Sequence, residues 1–246
     1  MDVWQWGLVC LAAFLVGLSK TGIAGLGILA VAIFASVLPA RESVGAVLVT
    51  LLAGDLVAVT TYRRDASWKH LLRLFPWAGL GVVLGALALG RIDDAGVRRL
   101  IGVILVSLLA IQVLRQITRV DTAAETAAPQ HPWVVGLTGV LAGFTTMVAN
   151  ASGPIMILYL LALRLPKVLF IGTAAWFFFA LNLFKVPFSV GLGLITAASL
   201  AISLRLIPFA VAGAISGRWV LHAIDQRRFE QLAWGLTLIA GIRLLF

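Results

Sequence analysis

The chain has 246 residues, 61% apolar and 12% charged, with a mean hydropathy of +1.06. A soluble domain of this length needs more polar surface than that, so the apolar surplus must face lipid. The net charge of +9 sits mostly between apolar runs. It therefore reads as charge on cytoplasmic loops rather than as a nucleic-acid footprint.

In chain order the apolar segments are 3–38, 43–61, 75–90, 98–116, 133–163, 168–190, 206–222 and 229–246. Each is bounded by Pro, Gly or charge. No basic stretch precedes the first run, which argues against a cleaved signal peptide. A single cysteine, Cys10, gives neither a disulfide framework nor a thiolate metal cluster.

Two segments are too long for one crossing. As straight helices 3–38 would span roughly 54 Å and 133–163 roughly 46 Å, against a hydrocarbon core of about 30 Å. Each must break. Ser19-Lys20-Thr21-Gly22-Ile23-Ala24-Gly25-Leu26-Gly27 interrupts the first, and Asn150-Ala151-Ser152-Gly153-Pro154 interrupts the fifth. Gly and Pro free backbone polar groups, tolerable at membrane depth only beside protein or a watery cavity.

Past the second segment come Arg63, Arg64, Lys69 and Arg73, with Ser67 to Arg73 expected to lie along the interface before Pro76. Residues 118–132 form a polar linker between two transmembrane units, 1–117 and 133–246. In the second unit Leu200 to Arg205 is the expected interfacial stretch before Pro208. Trp4, Trp6, Trp68, Trp77, Trp133 and Trp219 lie near expected span ends, where indole prefers the interface. Trp176 and Trp234 lie deeper.

The two units are imperfect copies. Leu38-Pro39, Gly45 and Asp55 reappear as Leu165-Pro166, Gly172 and Asn182 at an offset of 127, and Pro76, Gly81 and Gly85 as Pro208, Gly213 and Gly217 at 132. Equivalent loops carry opposite charge bias. Arg63, Arg64, Lys69 and Arg73 stand against only Arg205, whereas Arg164 and Lys167 stand against the Arg41/Glu42 pair. The expected fold is an all-α integral membrane protein of about eight transmembrane segments, arranged as two inverted repeats, each with a broken or re-entrant first segment. Both termini then lie outside the cytoplasm.

An ionisable residue inside a span marks a functional site by default. Lys20, Asp55 and Lys185 qualify. Two broken helices would aim N-termini at an anion, with Lys20 or Lys185 adding full charge. The candidate substrate-binding residues are Lys20, Thr21, Gly22, Asn150, Ser152, Gly153, Trp176, Asn182 and Lys185, and Asp55 is the candidate coupling group. Against this, Lys185 could snorkel or pair with Asp55, and the hydroxyls could bond back to their own helices. His70, His131 and His222 are far apart, and no P-loop or Gly-x-Ser-x-Gly spacing occurs. Metal chemistry, ATP hydrolysis and other enzymatic activity are not expected, nor is a cofactor.

The most specific stretches are Leu38-Pro39-Ala40-Arg41-Glu42-Ser43-Val44-Gly45, Gly54-Asp55 through Tyr62-Arg63-Arg64, Trp68-Lys69 to Pro76, Gly153-Pro154, Leu165-Pro166-Lys167 and Asn182-Leu183-Phe184-Lys185-Val186-Pro187. In this order the chain resembles the TauE/SafE family of membrane permeases over essentially its whole length. The resemblance implies a secondary permease of a bacterial inner membrane for small sulfur-containing anions such as sulfite, sulfoacetate or related sulfonates. It also implies that the glycine-rich breaks belong to the transport path; here their usual run of adjacent glycines is thinned. The expected partners are a small anion, the lipid bilayer, a coupling ion (H+ or Na+) and a second copy in a homodimer, with no nucleic acid. A passive anion channel and a non-transporting assembly or scaffold protein are the alternatives.

Overall fold

The computed structural model describes residues 1–21, 26–118, 131–163, 165–223 and 226–245. Among them are ten helices and no strand: α1 Val3–Thr21, α2 Leu26–Val37, α3 Ala40–Thr61, α4 Trp68–Leu89, α5 Asp94–Thr118, α6 Pro132–Ala149, α7 Gly153–Ala162, α8 Lys167–Gly191, α9 Ala197–Ala223 and α10 Gln226–Leu245. Six of these, α1, α3, α4, α6, α8 and α9, are long and apolar enough to cross a membrane. Leucines such as Leu56, Leu183 and Leu204 point outward, as a lipid-facing surface requires.

Both expected breaks are present. The first long segment divides into α1 and α2, and the fifth into α6 and α7 across Asn150–Ser152. Asn150 adopts the left-handed conformation (φ 50°) and ends α6, its N–H returning 2.9 Å to the Thr146 carbonyl. Pro154 then starts α7 in the first turn, where its missing N–H costs nothing.

Contacts between helices fix their directions. At one end Arg205 of α9 lies over the Trp6 ring of α1 at 5.6 Å, and the Ser203 hydroxyl donates 3.3 Å to the Ala46 carbonyl of α3. At the other end Thr21 donates 2.6 Å to the Ala214 carbonyl, and Lys20 meets Asp55 at 2.7 Å. Helices α1, α3 and α9 therefore run the same way. Helix α8 opposes α3, since Thr173 accepts from the Ser67 N–H (2.9 Å) beyond the end of α3, whereas Asn182 reaches back to Asp55 (2.6 Å). Helix α4 follows α8, with Trp68 on Trp176 (5.1 Å) and Phe75 on Phe184 (5.9 Å). Helix α6 follows α4. With α1 parallel to α3 and α6 parallel to α8, the short helices α2 and α7 must run back, so both long segments are hairpins.

Glycines set the closest crossings. A Cβ on Gly143 would overlap the Ala78 carbonyl and crowd Val82 of α4, and one on Gly17 would overlap the Ala210 carbonyl and crowd Ala214 of α9. These two crossings are related residue by residue, at an offset of 126 on one helix and 132 on the other. Gly81 against Val140 and Gly213 against Phe14 repeat the relation from the opposite side. Small residues let backbones approach where lipid supplies no hydrophobic drive. Helix α1 thus packs closely on α9, and α6 on α4.

Two expectations are corrected. Residues 68–73 and 200–205 are not separate interfacial segments; they continue unbroken into α4 and α9, with Pro76 and Pro208 inside the helices. The ring removes one backbone bond, which an otherwise packed membrane helix absorbs. Trp77 is accordingly not at a span end but lies well inside α4, against Gly136 and Gly139. Gly22, Arg164, linker residues 119–130 and the side chains of Lys167, Trp219, His222 and Trp234 lie outside the described residues.

Candidate functional site

The hairpin tips meet α3 and α8 around one polar cluster in an apolar interior. Asp55, fully buried, comes from the second half of α3. Its Oδ2 accepts a 2.6 Å hydrogen bond from Asn182, its repeat mate on α8. Its Oδ1 lies 2.7 Å from the Lys20 ammonium, an ion pair without a directed hydrogen bond at that oxygen. The ammonium also stands 4.5 Å over the Phe178 ring. Gly54 and Gly17 leave room for this approach: the Lys20 stem runs where a Cβ on Gly54 would lie 3.3 Å away.

Lys185 lies one turn beyond Asn182 on the same face of α8 and is also fully buried. It neither snorkels nor pairs with Asp55. Its ammonium donates to three neutral oxygens, the Thr146 carbonyl (2.9 Å), the Thr146 hydroxyl (3.0 Å) and the Asn150 side-chain oxygen (2.7 Å). Asn150 is held in turn by its amide, which donates 3.0 Å to the Val44 carbonyl. Three donors meet three acceptors, which is what a buried ammonium requires.

Beside the cluster opens a cavity of about 970 Å3, its mouth included. Lys20, Thr21, Asn150, Ser152, Gly153 and Asn182 line it, together with Ser19, Thr146 and Phe178. The N-terminal turn of α7 faces this space: nothing lies within 4 Å of the position a Cβ on Gly153 would take, and Ser152 makes no side-chain bond to the helix it precedes. The lining continues along α8 from Asn182 back to Phe170 and along α3 from Leu51 to Ala58. It therefore extends towards the end of the bundle where α3 finishes and α8 starts.

Not every candidate faces the cavity. Lys185 stands behind the wall, bound to Thr146 and Asn150. Trp176 is not among the lining residues; it packs on Trp68 and edge-on to Phe179 at 6.3 Å. The Ser19 and Thr145 hydroxyls bond back to Val16 (2.7 Å) and Leu141 (2.8 Å) of their own helices. Thr21 instead bonds across to α9.

Sequence reasoning missed Arg41. Its guanidinium donates to the carbonyls of Leu89 (2.9 Å), Ile92 (3.1 Å) and Leu192 (3.1 Å), tying the ends of α4 and α8 to the start of α3. Asp94 accepts from the Arg41 N–H at 2.9 Å. Nothing in the local sequence separates this role from loop charge.

A family model described as Sulfite exporter TauE/SafE matches residues 9–244, from within α1 nearly to the end of α10. The chain belongs to the TauE/SafE family. No curated protein and no solved structure matches it. As a TauE/SafE protein it is a multi-pass membrane protein of a transporter family, and its polar cluster lies within the matched region.

Proposed function

We propose that this TauE/SafE protein is a secondary permease for a small oxyanion, sulfite or an organosulfonate such as sulfoacetate, in a bacterial inner membrane. The observation that carries this is a cavity bounded by Lys20 and by the N-terminal turn of α7, with Ser152 and Gly153 at its open face. A helix N-terminus presents N–H groups without intrahelical partners and the positive end of the dipole.

The halves are inverted repeats that rock about the Asp55–Asn182 contact. Support comes from direction: α1 opposes its mate α6, α3 opposes α8 and α4 opposes α9. Adding α5 and α10 to the six long apolar helices gives eight long membrane segments, with 1–117 and 133–246 as the two units and 118–132 as the tether. Since α1 with α2, and α6 with α7, return to the side they enter from, each unit makes an odd net number of crossings, as inversion requires. Charge supports the orientation. In sequence, the connections after α3 and α7 carry Arg63, Arg64 and Arg164 against one acid, Asp65, whereas those after α4 and α8 carry only Arg91, offset by Asp93. The cavity then faces the cytoplasm, the loading side for export. Asp55 is the coupling group: its ion pair holds Lys20, and a coupling ion (H+ or Na+) that takes the place of Lys20 at the carboxylate releases Lys20 to the anion.

The test is a binding and flux assay on purified protein. Sulfite or a sulfonate raises the unfolding temperature of the native protein, whereas sulfate-free chloride controls do not. Ser152→Ala, and Lys20→Met/Asp55→Asn, which removes the ion pair as a unit, each weaken binding by at least about tenfold, the loss expected for one hydrogen bond to a charged group. Flux in proteoliposomes saturates with anion. Unchanged affinity in both variants overturns the site, and non-saturating flux identifies a passive channel instead.

A further inference from the structure

Lys185 is the buried charge that the anion reading does not use. It stands behind the cavity wall, and the nearest buried carboxylate, Asp55, is already engaged by Lys20 and Asn182. What surrounds its ammonium is a set of neutral oxygens at the C-terminal end of α6: one main-chain carbonyl, one hydroxyl and one side-chain amide oxygen, at 2.7–3.0 Å. The set is built. Asn150 is fixed by its left-handed cap and by the hydrogen bond its side-chain N–H donates to the Val44 carbonyl, which turns Oδ1 towards the amine.

Neutral, oxygen-only ligands at the broken end of a helix, where the dipole is negative, are suited to a monovalent hard cation. The other half lacks the arrangement. The mate of Lys185 is Ala58, and the position matching Thr146 is occupied by Lys20, whose charge is countered by a carboxylate. The lysine of α8 thus reaches across to ligands that belong to α6. We infer that the broken end of α6 is a monovalent-cation site and that the Lys185 ammonium occupies it as a tethered cation. The protein then carries there the charge that a bound Na+ or K+ would bring, and needs no alkali cation for stability or for binding. This stands whether or not the cavity takes an oxyanion.

Thermal unfolding of the purified full chain, without any anionic substrate and in chloride salts of equal ionic strength, tests it. The native protein melts at the same temperature in Na+, K+ or N-methylglucamine. Lys185→Ala removes the tether and leaves the three oxygens; its unfolding temperature rises saturably with Na+, K+ or n-propylammonium, the last replacing the missing atoms. A shift of about 5–10 °C is expected at about a hundredfold excess over Kd. Lys185→Met, which fills the space with an apolar chain, gains nothing from any of them. Saturable stabilisation of the native protein by Na+ or K+ overturns the inference. So does a folded Lys185→Ala that ignores every cation, or an equal response from Lys185→Met. If Lys185→Ala folds only when purified with one of these cations, the inference holds; if it fails in all of them while Lys185→Met folds, the inference fails.

Discussion

Asp55 joins three helices through two oxygens, with Lys20 of α1 on one and Asn182 of α8 on the other. Both ion-pair partners are nearly inaccessible, the side chains being 9% and 0% exposed, so each depends on the other to offset its desolvation. Removing one charge leaves the other buried alone, at a cost of about 3–5 kcal/mol. Asp55→Asn and Lys20→Met are each expected to be strongly destabilising, and the double variant far less so than their sum. A double-mutant cycle on thermal unfolding measures the coupling, and simple additivity would show that the two side chains do not interact. Which lysine takes the carboxylate was not legible in the sequence. Lys185 lies one helical turn from Asp55's own mate, yet the pairing is decided by how α1 and α6 enter the cluster, and no local pattern encodes that.

The hairpins depend on elements that approach almost backbone to backbone. Gly143 of α6 against α4 and Gly17 of α1 against α9 leave no space for a methyl group, whereas Gly7 at the start of α1 has nothing within 4 Å of the position its Cβ would take. Gly143→Ala and Gly17→Ala should each cost at least about 1–3 kcal/mol, because the obstacle is main chain that cannot rotate away. Gly7→Ala should be neutral or slightly stabilising, since it only improves helix propensity. Melting temperature and size-exclusion profile compare the three, and equal behaviour would mean that these backbones do not meet at Gly143 and Gly17. At this scale much was legible. Length against bilayer thickness, with Gly and Pro inside apolar runs, located both breaks before any contact was known. The prolines misled in the other direction: Pro76 and Pro208 suggested boundaries, but packing along α4 and α9 carries each helix through its missing bond. Trp176 was ambiguous for a related reason, since an aromatic in a span can fill a helix interface as well as a binding site, and here Trp68 takes its face.

For the whole molecule, the exchange of first helices between halves ties orientation to function. Reciprocal packing of α1 on α9 and of α4 on α6 makes each half incomplete without the other, and gives a rocking motion two equivalent rest positions only if the halves are inverted. Parallel repeats would place the turns after α3 and α8 on one side of the membrane; inverted repeats place them on opposite sides. Arg64 and Ala198 are exposed beside these two turns. In a Cys10→Ala background, which removes the one native thiol, Arg64→Cys and Ala198→Cys can be probed with a membrane-impermeant maleimide on intact cells and on inverted vesicles. The expected result is labelling of position 64 only from the cytoplasmic face and of position 198 only from the opposite face. Labelling of both from one face would refute the inversion, and with it the alternating exposure of the Lys20 and Ser152 cavity. Labelling of both with their sides exchanged would keep the inversion but turn the open cavity outward, making the state seen here the one that loads for import.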